Sequence, residues 1–444
     1  MNKTLIKNAR LVNEGRITDG DLLIVGDRIA RVGGEIPDAG YTVIEASGRV
    51  LMPGVIDDQV HFREPGVTHK GDMATESRAA LAGGITSWME MPNTNPQTVT
   101  LDALEAKFAL AGDRCWGNHA FYLGATNDNI DEIRRLDPNQ TCGIKVFMGA
   151  STGNMLVDDP KTLDQLFRDA PTLVAAHCED TPTIKANEER FRAEYGDAIP
   201  MRFHPQIRSV DACYKSSSLA VELARRHDTR LHVLHLTSAR ELELFTAGPL
   251  QGKRITTEAC VHHLYFDESD YEAKGSLIKC NPAIKSRGDR DALRLALVED
   301  LLDVVATDHA PHTLAEKSDP SYFKAPAGLP LVQYALPMMI ELVHQGVLTL
   351  EQAVHKVCHA PAQLFGVVER GFLREGHYAD LVLLDLDNPY EVRREDVLYK
   401  CGWSPLEGTV LRGRIRQTFV NGELKYDDGR FLGAPNGRRL TFAH

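Results

Sequence analysis

The chain contains no run of about 18 consecutive apolar residues, so a membrane-spanning helix is not expected. It also has no block of basic residues: Lys+Arg number 50 against 62 Asp+Glu, a formal net charge of −12. A face that neutralises phosphates is therefore not expected, and neither nucleic acid nor a membrane is an expected partner. The eight cysteines (115, 142, 178, 213, 260, 280, 358 and 401) show no CxxC spacing. They read as reduced thiols, most of them packing side chains. The first residues, MNKTLIKNARLV, lack the apolar segment and small-residue cleavage site of a secretory signal, and a cytoplasmic location is expected. Fixed-period repeats and low-complexity segments are also missing. What is plentiful is histidine, 17 in 444 residues.

Two textures alternate along the chain. The first fifty residues read as short strands (LIKNARLV, DLLIVGDRIARVGG, YTVIEASGRVLMPG) punctuated by glycine turns, and the last eighty return to this pattern. Asn421-Gly422 is a two-residue hairpin signal. Residues 1–53 and 367–444 are thus expected to form one β-sandwich module from both chain ends. Between them, over 54–366, apolar strands alternate with helical stretches that carry apolar residues at three and four spacing. Eight such strands (VIDDQVHF, ITSWMEM, HAFYLGA, GIKVFMG, TLVAAHCE, RLHVLHL, RITTEACVHHL, VVATDHA) predict an α/β fold, a (β/α)8 TIM-like barrel. Asp159 before Pro160 and Ser238 before ARELE are expected helix N-caps.

Barrel enzymes do their chemistry at the C-terminal ends of the strands. The first strand here ends in Gln59-Val60-His61-Phe62-Arg63 and the second in Met91-Pro92-Asn93. The fourth carries Lys145 in an otherwise apolar segment; the fifth and sixth end in His177 and His235, and the eighth in Asp308-His309-Ala310-Pro311-His312. A single strand-end histidine is more often structural than functional, but polar residues at five corresponding positions point to one rim. His232, three residues before His235, is expected to face the helix layer, and of the adjacent His262 and His263 at most one is expected to point inward.

The motifs PGVIDDQVHFREPG, MEMPNTNP, GIKVFMGASTGN, AAHCED, HVLHLTS, ATDHAPH and EGHYADLVLLD resemble those of the dihydroorotase family, cyclic amidohydrolases of the amidohydrolase superfamily. The resemblance runs over nearly the whole chain and implies reversible hydrolysis of the cyclic amide of dihydroorotate to N-carbamoyl-L-aspartate, in de novo pyrimidine biosynthesis. It implies one or two zinc ions held by His61, His177, His235 and Asp308, with a CO2-derived carbamate on Lys145 bridging them. Gln59 departs from the family: it stands where a metal-binding histidine is usual, and an amide oxygen is a much weaker ligand for zinc than imidazole. Asp308 is also the implied catalytic proton carrier. Arg63, Asn93 and His312 are implied contacts for the substrate carboxylate, and Asn281 with the backbone at Ala327 and Gly328 for its ring amides. The implied partners are a small anionic substrate and further copies of the chain, in a homodimer or higher oligomer. Two alternatives stand beside this reading. A hydantoinase, dihydropyrimidinase or allantoinase would share the lysine and the β module without needing the Arg63–Asn93 clamp. A non-catalytic amidohydrolase-like scaffold would account for Gln59.

Overall fold

Eight parallel strands, each followed by a helical or turn segment, surround the centre of the protein in a computed structural model that describes residues 3–151 and 153–443. The strands are Val55–Val60, Ile85–Glu90, Asn118–Phe121 (continued by Leu123–Gly124), Ile144–Phe147, Val174–His177, Leu231–Val233, Ile255–Cys260 and Val304–Ala306. The first three form one sheet, and Leu123–Gly124 starts a second that runs in sequence order to Val304–Ala306. A parallel bridge between Val60 and His309 joins the eighth strand back to the first. The ring is a TIM-like barrel.

Local chemistry sets the helix starts. Asp159 accepts from the Thr162 N–H with Pro160 in the first turn, and Ser238 accepts from the Glu241 N–H. Asp72 and Thr75 make a reciprocal capping box that opens the helix Met73–Ala82 after the first strand. Ile56, Met89, Tyr122, Leu173, Leu234 and Val304 pack together with Phe365, Leu440 and Phe442, so the last residues of the chain help to fill one end of the barrel. Phe62 and Trp88, fully buried with ring centroids 4.6 Å apart, pack beside the first two strands. Each such side chain stabilises the fold by roughly 1.5–3 kcal/mol through burial.

The strands of both chain ends form a single nine-stranded sheet. Val50–Pro53 pairs in parallel with Lys3–Asn13 on one side and antiparallel with Leu381–Asp385 on the other. This shared strand merges the two layers expected of a sandwich into one hydrogen-bonded sheet, wrapped on a core of Ile6, Leu22, Ile29, Leu381 and Phe419. Asn421 and Gly422, at φ +50° and +80°, make the tight turn between Arg414–Val420 and Glu423–Asp427. Among the described residues, no helix is long and apolar enough to cross a membrane.

Candidate metal centre

The ends of the first and eighth strands are tied together beneath the rim. Asp57 accepts from the Thr307 hydroxyl at 2.6 Å and from the backbone N–H groups of Thr307 and Gln59, both at 3.2 Å. Burial pushes its carboxyl up to about 7. This link fixes Gln59 and Asp308 relative to one another. Arg63, His235 and Asp308 all adopt left-handed backbone, at φ +70°, +37° and +47°. Such conformations cost non-glycine residues on the order of 1–3 kcal/mol and persist where the surroundings hold them.

His177 and His235 face each other, Nδ1 of the first 3.0 Å from Nε2 of the second. The other nitrogen of His177, Nε2, donates to Glu179 at 2.8 Å, and Arg208 donates to the same carboxylate at 2.6 Å. Burial alone would raise the Glu179 carboxyl, but Arg208 and His177 outweigh it and hold it down at about 2. With the proton of His177 fixed on Nε2 by Glu179, Nδ1 presents a lone pair toward His235. Burial also lowers both histidines from their ordinary range, favouring neutral imidazoles.

Across the rim, His61 Nε2 lies 3.1 Å from Asp308 Oδ1, while its Nδ1 is 2.9 Å from Asn93 Oδ1. Gln59 turns its amide nitrogen, not its oxygen, toward this group and donates to Asp308 Oδ1 at 3.1 Å. Its oxygen faces Cys260 Sγ at 3.8 Å. Lys145 belongs to both halves: its charge acts on His61, His177, His235 and Asp308 alike. Burial lowers its ammonium to about 8, although Asp308 and Glu258 oppose the shift, so the amine is neutral in an appreciable fraction near neutral pH.

Beside these residues lies a cluster of cations and donors. Arg63 Nε donates to Pro311 O at 3.0 Å. Lys70 donates to His312 Nδ1 at 2.9 Å, which leaves the proton of that ring on Nε2, donating to Ala327 O at 3.0 Å. Arg63 Nη2 also lies 3.0 Å from His312 Nε2, so two donors point at one another. Burial, then Arg63 and Lys70, push His312 far below its ordinary range, keeping it neutral. The loop at Ala327-Gly328 is held from below by the fully buried Lys317, which donates to Lys279 O, Pro326 O and Gly328 O. Gly328 N–H donates to Lys279 O, so both polar backbone groups of Gly328 are already engaged. Asn281 keeps a buried Oδ1 without a hydrogen-bond partner.

Residues 50–425 match the amidohydrolase family. This chain belongs to that family. The amidohydrolase is 34% identical to a dihydroorotase of Halobacterium salinarum, over 97% of this chain and 99% of the relative. It is 32% identical to an allantoinase of Solibacter usitatus, over 99% and 97%. Its fold superposes on an L-hydantoinase (dihydropyrimidinase) from Arthrobacter aurescens with a TM-score of 0.93 at 29% identity, covering 99% of this chain and all of the other. It is a cyclic amidohydrolase.

The donor set of this amidohydrolase fits a divalent metal well on one side. His177 Nδ1 and His235 Nε2 converge, Glu179 orients the first ring, and His235 Nδ1 is buried without a partner. On the other side the fit is weaker, because Gln59 presents N–H to Asp308 where a ligand would present a lone pair. Two sequence expectations are corrected. His232 does not face the helix layer: its Nε2 lies 3.4 Å from Asp58 on the first strand and 3.5 Å from Glu258 on the seventh, inside the barrel. The two-residue alternation fails there because the sixth strand ends at Val233 and His235 has positive φ. His262 and His263 do not point apart. They lie in a helical turn, Val261–Tyr265, where neighbours are about 100° apart, and donor atoms of both converge with Cys260. Glu179, Lys317 and Glu258 were not read from the sequence. Glu179 alone carried a signal, two residues beyond His177 at a strand end.

Proposed function

We propose that this cyclic amidohydrolase is a dihydroorotase, interconverting dihydroorotate and N-carbamoyl-L-aspartate as a step of de novo pyrimidine biosynthesis. The observation that carries the reading is the approach of Arg63 Nη2 to His312 Nε2, two donors 3.0 Å apart with Lys70 behind them. His312 Nε2 spends its one proton on Ala327 O and offers Arg63 Nη2 no acceptor, so a carboxylate oxygen that accepts from Arg63 turns an unfavourable approach into a charge-assisted hydrogen bond. Dihydroorotate carries such a carboxylate; hydantoins, dihydrouracil and allantoin do not. The buried location strengthens the discrimination, because a substrate without the group leaves these donors facing each other.

His177, His235, His61, Asp308 and a carbamate formed by CO2 on Lys145 are the residues to hold zinc, one ion at the histidine pair and a weaker second site beside Gln59. When bound, zinc supplies water activation at neutral pH and Lewis-acid polarisation of the amide carbonyl. Asp308 takes the proton of the attacking water and delivers it to the departing ring nitrogen, a base that becomes an acid. Gln59 Nε2 and His61 Nε2 fix the oxygen that carries it. Arg63, His312 and Asn93 hold the substrate carboxylate away from the metal ligands. Asn281 Oδ1 accepts from a ring N–H, and the backbone around Ala327 and Gly328 borders the ring.

Turnover of dihydroorotate, dihydrouracil, hydantoin and allantoin by one preparation tests the proposal. Dihydroorotate is expected to exceed the others by at least about a hundredfold in kcat/KM, the discrimination given by a site whose buried donors require a partner. Preference for a substrate without a carboxylate overturns it in favour of the activities named for the allantoinase and hydantoinase relatives.

A further inference from the structure

Asp58, His232 and Glu258 meet inside the barrel, all with no exposed surface. They come from the first, sixth and seventh strands, and each precedes a rim residue on its own segment: Gln59, His235 and Cys260. The group therefore lies deeper along the strands than the metal centre described above. Tyr122 donates to the Asp58 carbonyl at 3.0 Å, and Phe365 stands edge-on to His232 at 5.8 Å.

The orientation of the His232 ring is set from outside the cluster. Thr256 Oγ1 lies within reach of Leu231 O at 3.3 Å, to which its hydroxyl donates, so it accepts from His232 Nδ1–H at 2.9 Å. This leaves Nε2 as the atom facing the two carboxylates. Glu258 is oriented in the same way, since its Oε1 accepts from the His235 N–H at 3.1 Å. What remains pointing into the centre is His232 Nε2, Glu258 Oε2 and both oxygens of Asp58, all buried without a hydrogen-bond partner.

The spacings are longer than those of the other buried imidazole–carboxylate pairs and match those of a ligand set. Charge-assisted hydrogen bonds span about 2.7–2.9 Å. The fully buried carboxylate–imidazole pairs His177–Glu179 and His309–Glu76 in this protein are both 2.8 Å, His61–Asp308 at the rim is 3.1 Å, and the exposed His69–Glu316 pair is 3.4 Å. His232 Nε2 is instead 3.4 Å from Asp58 Oδ2 and 3.5 Å from Glu258 Oε2. Roughly 3.3–3.6 Å is the edge of a tetrahedron whose metal–ligand bonds are about 2.0–2.2 Å. The three donor atoms all lie within 4.8 Å of one another. Without a cation, burial lowers the His232 imidazolium, but Asp58 and Glu258 outweigh it and raise it to about 9, which balances part of their charge; a divalent cation held by two carboxylates and the neutral imidazole would balance all of it.

We propose that Asp58, His232 and Glu258 bind a divalent cation of the zinc or manganese type inside the barrel, separate from the catalytic metal centre. The ligands are one imidazole nitrogen and two carboxylate oxygens, a hard-to-borderline set suited to both ions. Thr256 and the His235 N–H orient them. Because Glu258 also holds the backbone of His235, occupancy of this site fixes the position of a rim histidine.

Crystals of the whole protein grown with zinc chloride, measured on both sides of the zinc absorption edge, test the site directly. An anomalous peak between Asp58, His232 and Glu258, besides any at His177 and His235, is the expected result. Peaks at the rim alone, with none at the triad, overturn the proposal and leave His232 as an imidazolium between two acids. In solution, Asp58→Asn is expected to lose about one equivalent of zinc relative to the unsubstituted protein after dialysis, as one ligand of a closed site is removed. Equal zinc content in a folded Asp58→Asn protein counts against the site. Should that variant not fold, the anomalous map of the unsubstituted protein decides.

Discussion

Gln59 Nε2 and His61 Nε2 both lie 3.1 Å from one oxygen of Asp308, so the Gln59 amide offers a donor where a metal ligand would offer a lone pair. Asp308 is stabilised as a carboxylate, held below its ordinary range by His61 against the opposing effect of burial. Replacing Gln59 by histidine is expected to raise bound zinc by about one equivalent per chain, since imidazole is a far better ligand than an amide. Metal analysis after dialysis reads the change, and unaltered zinc content contradicts this account of Gln59.

Arg63→Met is expected to raise KM for dihydroorotate by roughly a hundredfold, the loss of a buried charge-assisted contact. Zinc content should survive, since Arg63 contacts Pro311 and His312 and none of the ligand pairs. Arg63→Lys should recover little, because an ammonium lacks the planar fork. Steady-state kinetics with metal analysis checks all three statements, and a normal KM in Arg63→Met removes the carboxylate clamp.

Asp308→Asn should lower kcat by at least about a hundredfold, the usual contribution of a positioned proton carrier. Binding of dihydroorotate, measured by calorimetry, should persist within about tenfold because the carboxylate contacts are elsewhere. A near-normal kcat assigns the proton transfer to another group.

Lys317 holds three backbone carbonyls beneath the Ala327-Gly328 loop, at 3.1, 2.9 and 3.0 Å. Lys317→Met strands these acceptors in a dry interior and is expected to cost about 3 kcal/mol in urea unfolding, at roughly 1–3 kcal/mol for each group left unsatisfied. It should also raise KM, as Gly328 has little freedom: a Cβ there would lie 2.4 Å from Ala310 O. An unchanged unfolding midpoint refutes the anchoring role.

Glu316 gives a pH signature. Burial raises its carboxyl, but the Thr313 N–H and Lys70 prevail and hold it down at about 2. A carboxyl depressed on folding adds stability above its unfolded value, about 4.3, and loses it as pH falls toward the folded value. The stability difference between the unsubstituted protein and Glu316→Gln should therefore be present at about pH 6 and vanish near pH 2. Because Glu316 is about a third exposed, the difference will be modest. A gap that widens on acidification reverses the sign and excludes the assignment.

The alternation of apolar strands with helical stretches made the barrel readable, and the polar strand ends singled out His61, Lys145, His177, His235 and Asp308. Direction was harder to read than position. Asp57 and Asp58 are indistinguishable as letters, yet one ties strand ends together through Thr307 and the other points into the barrel at His232. Period-two reasoning needs a strand long enough to alternate, and the sixth has only Leu231–Val233. Glu258 sits within ITTEAC, where nothing local marks an acid whose partners are 26 and 200 residues away. The donor conflict between Arg63 and His312 depends on Lys70 choosing the tautomer, which only the folded arrangement reveals.

The strand Val50–Pro53 pairs with residues 381–384, more than three hundred positions later. During synthesis the ribosome must deliver the entire barrel before this strand can find its antiparallel neighbour. The early strands Lys3–Asn13 and Arg16–Val25 can pair with each other at once, but the edge of Val50–Pro53 waits. A nascent or C-terminally shortened chain thus carries an unpaired apolar strand, a template for association with other chains. Completion of the nine-stranded sheet late in synthesis is the step that closes this edge.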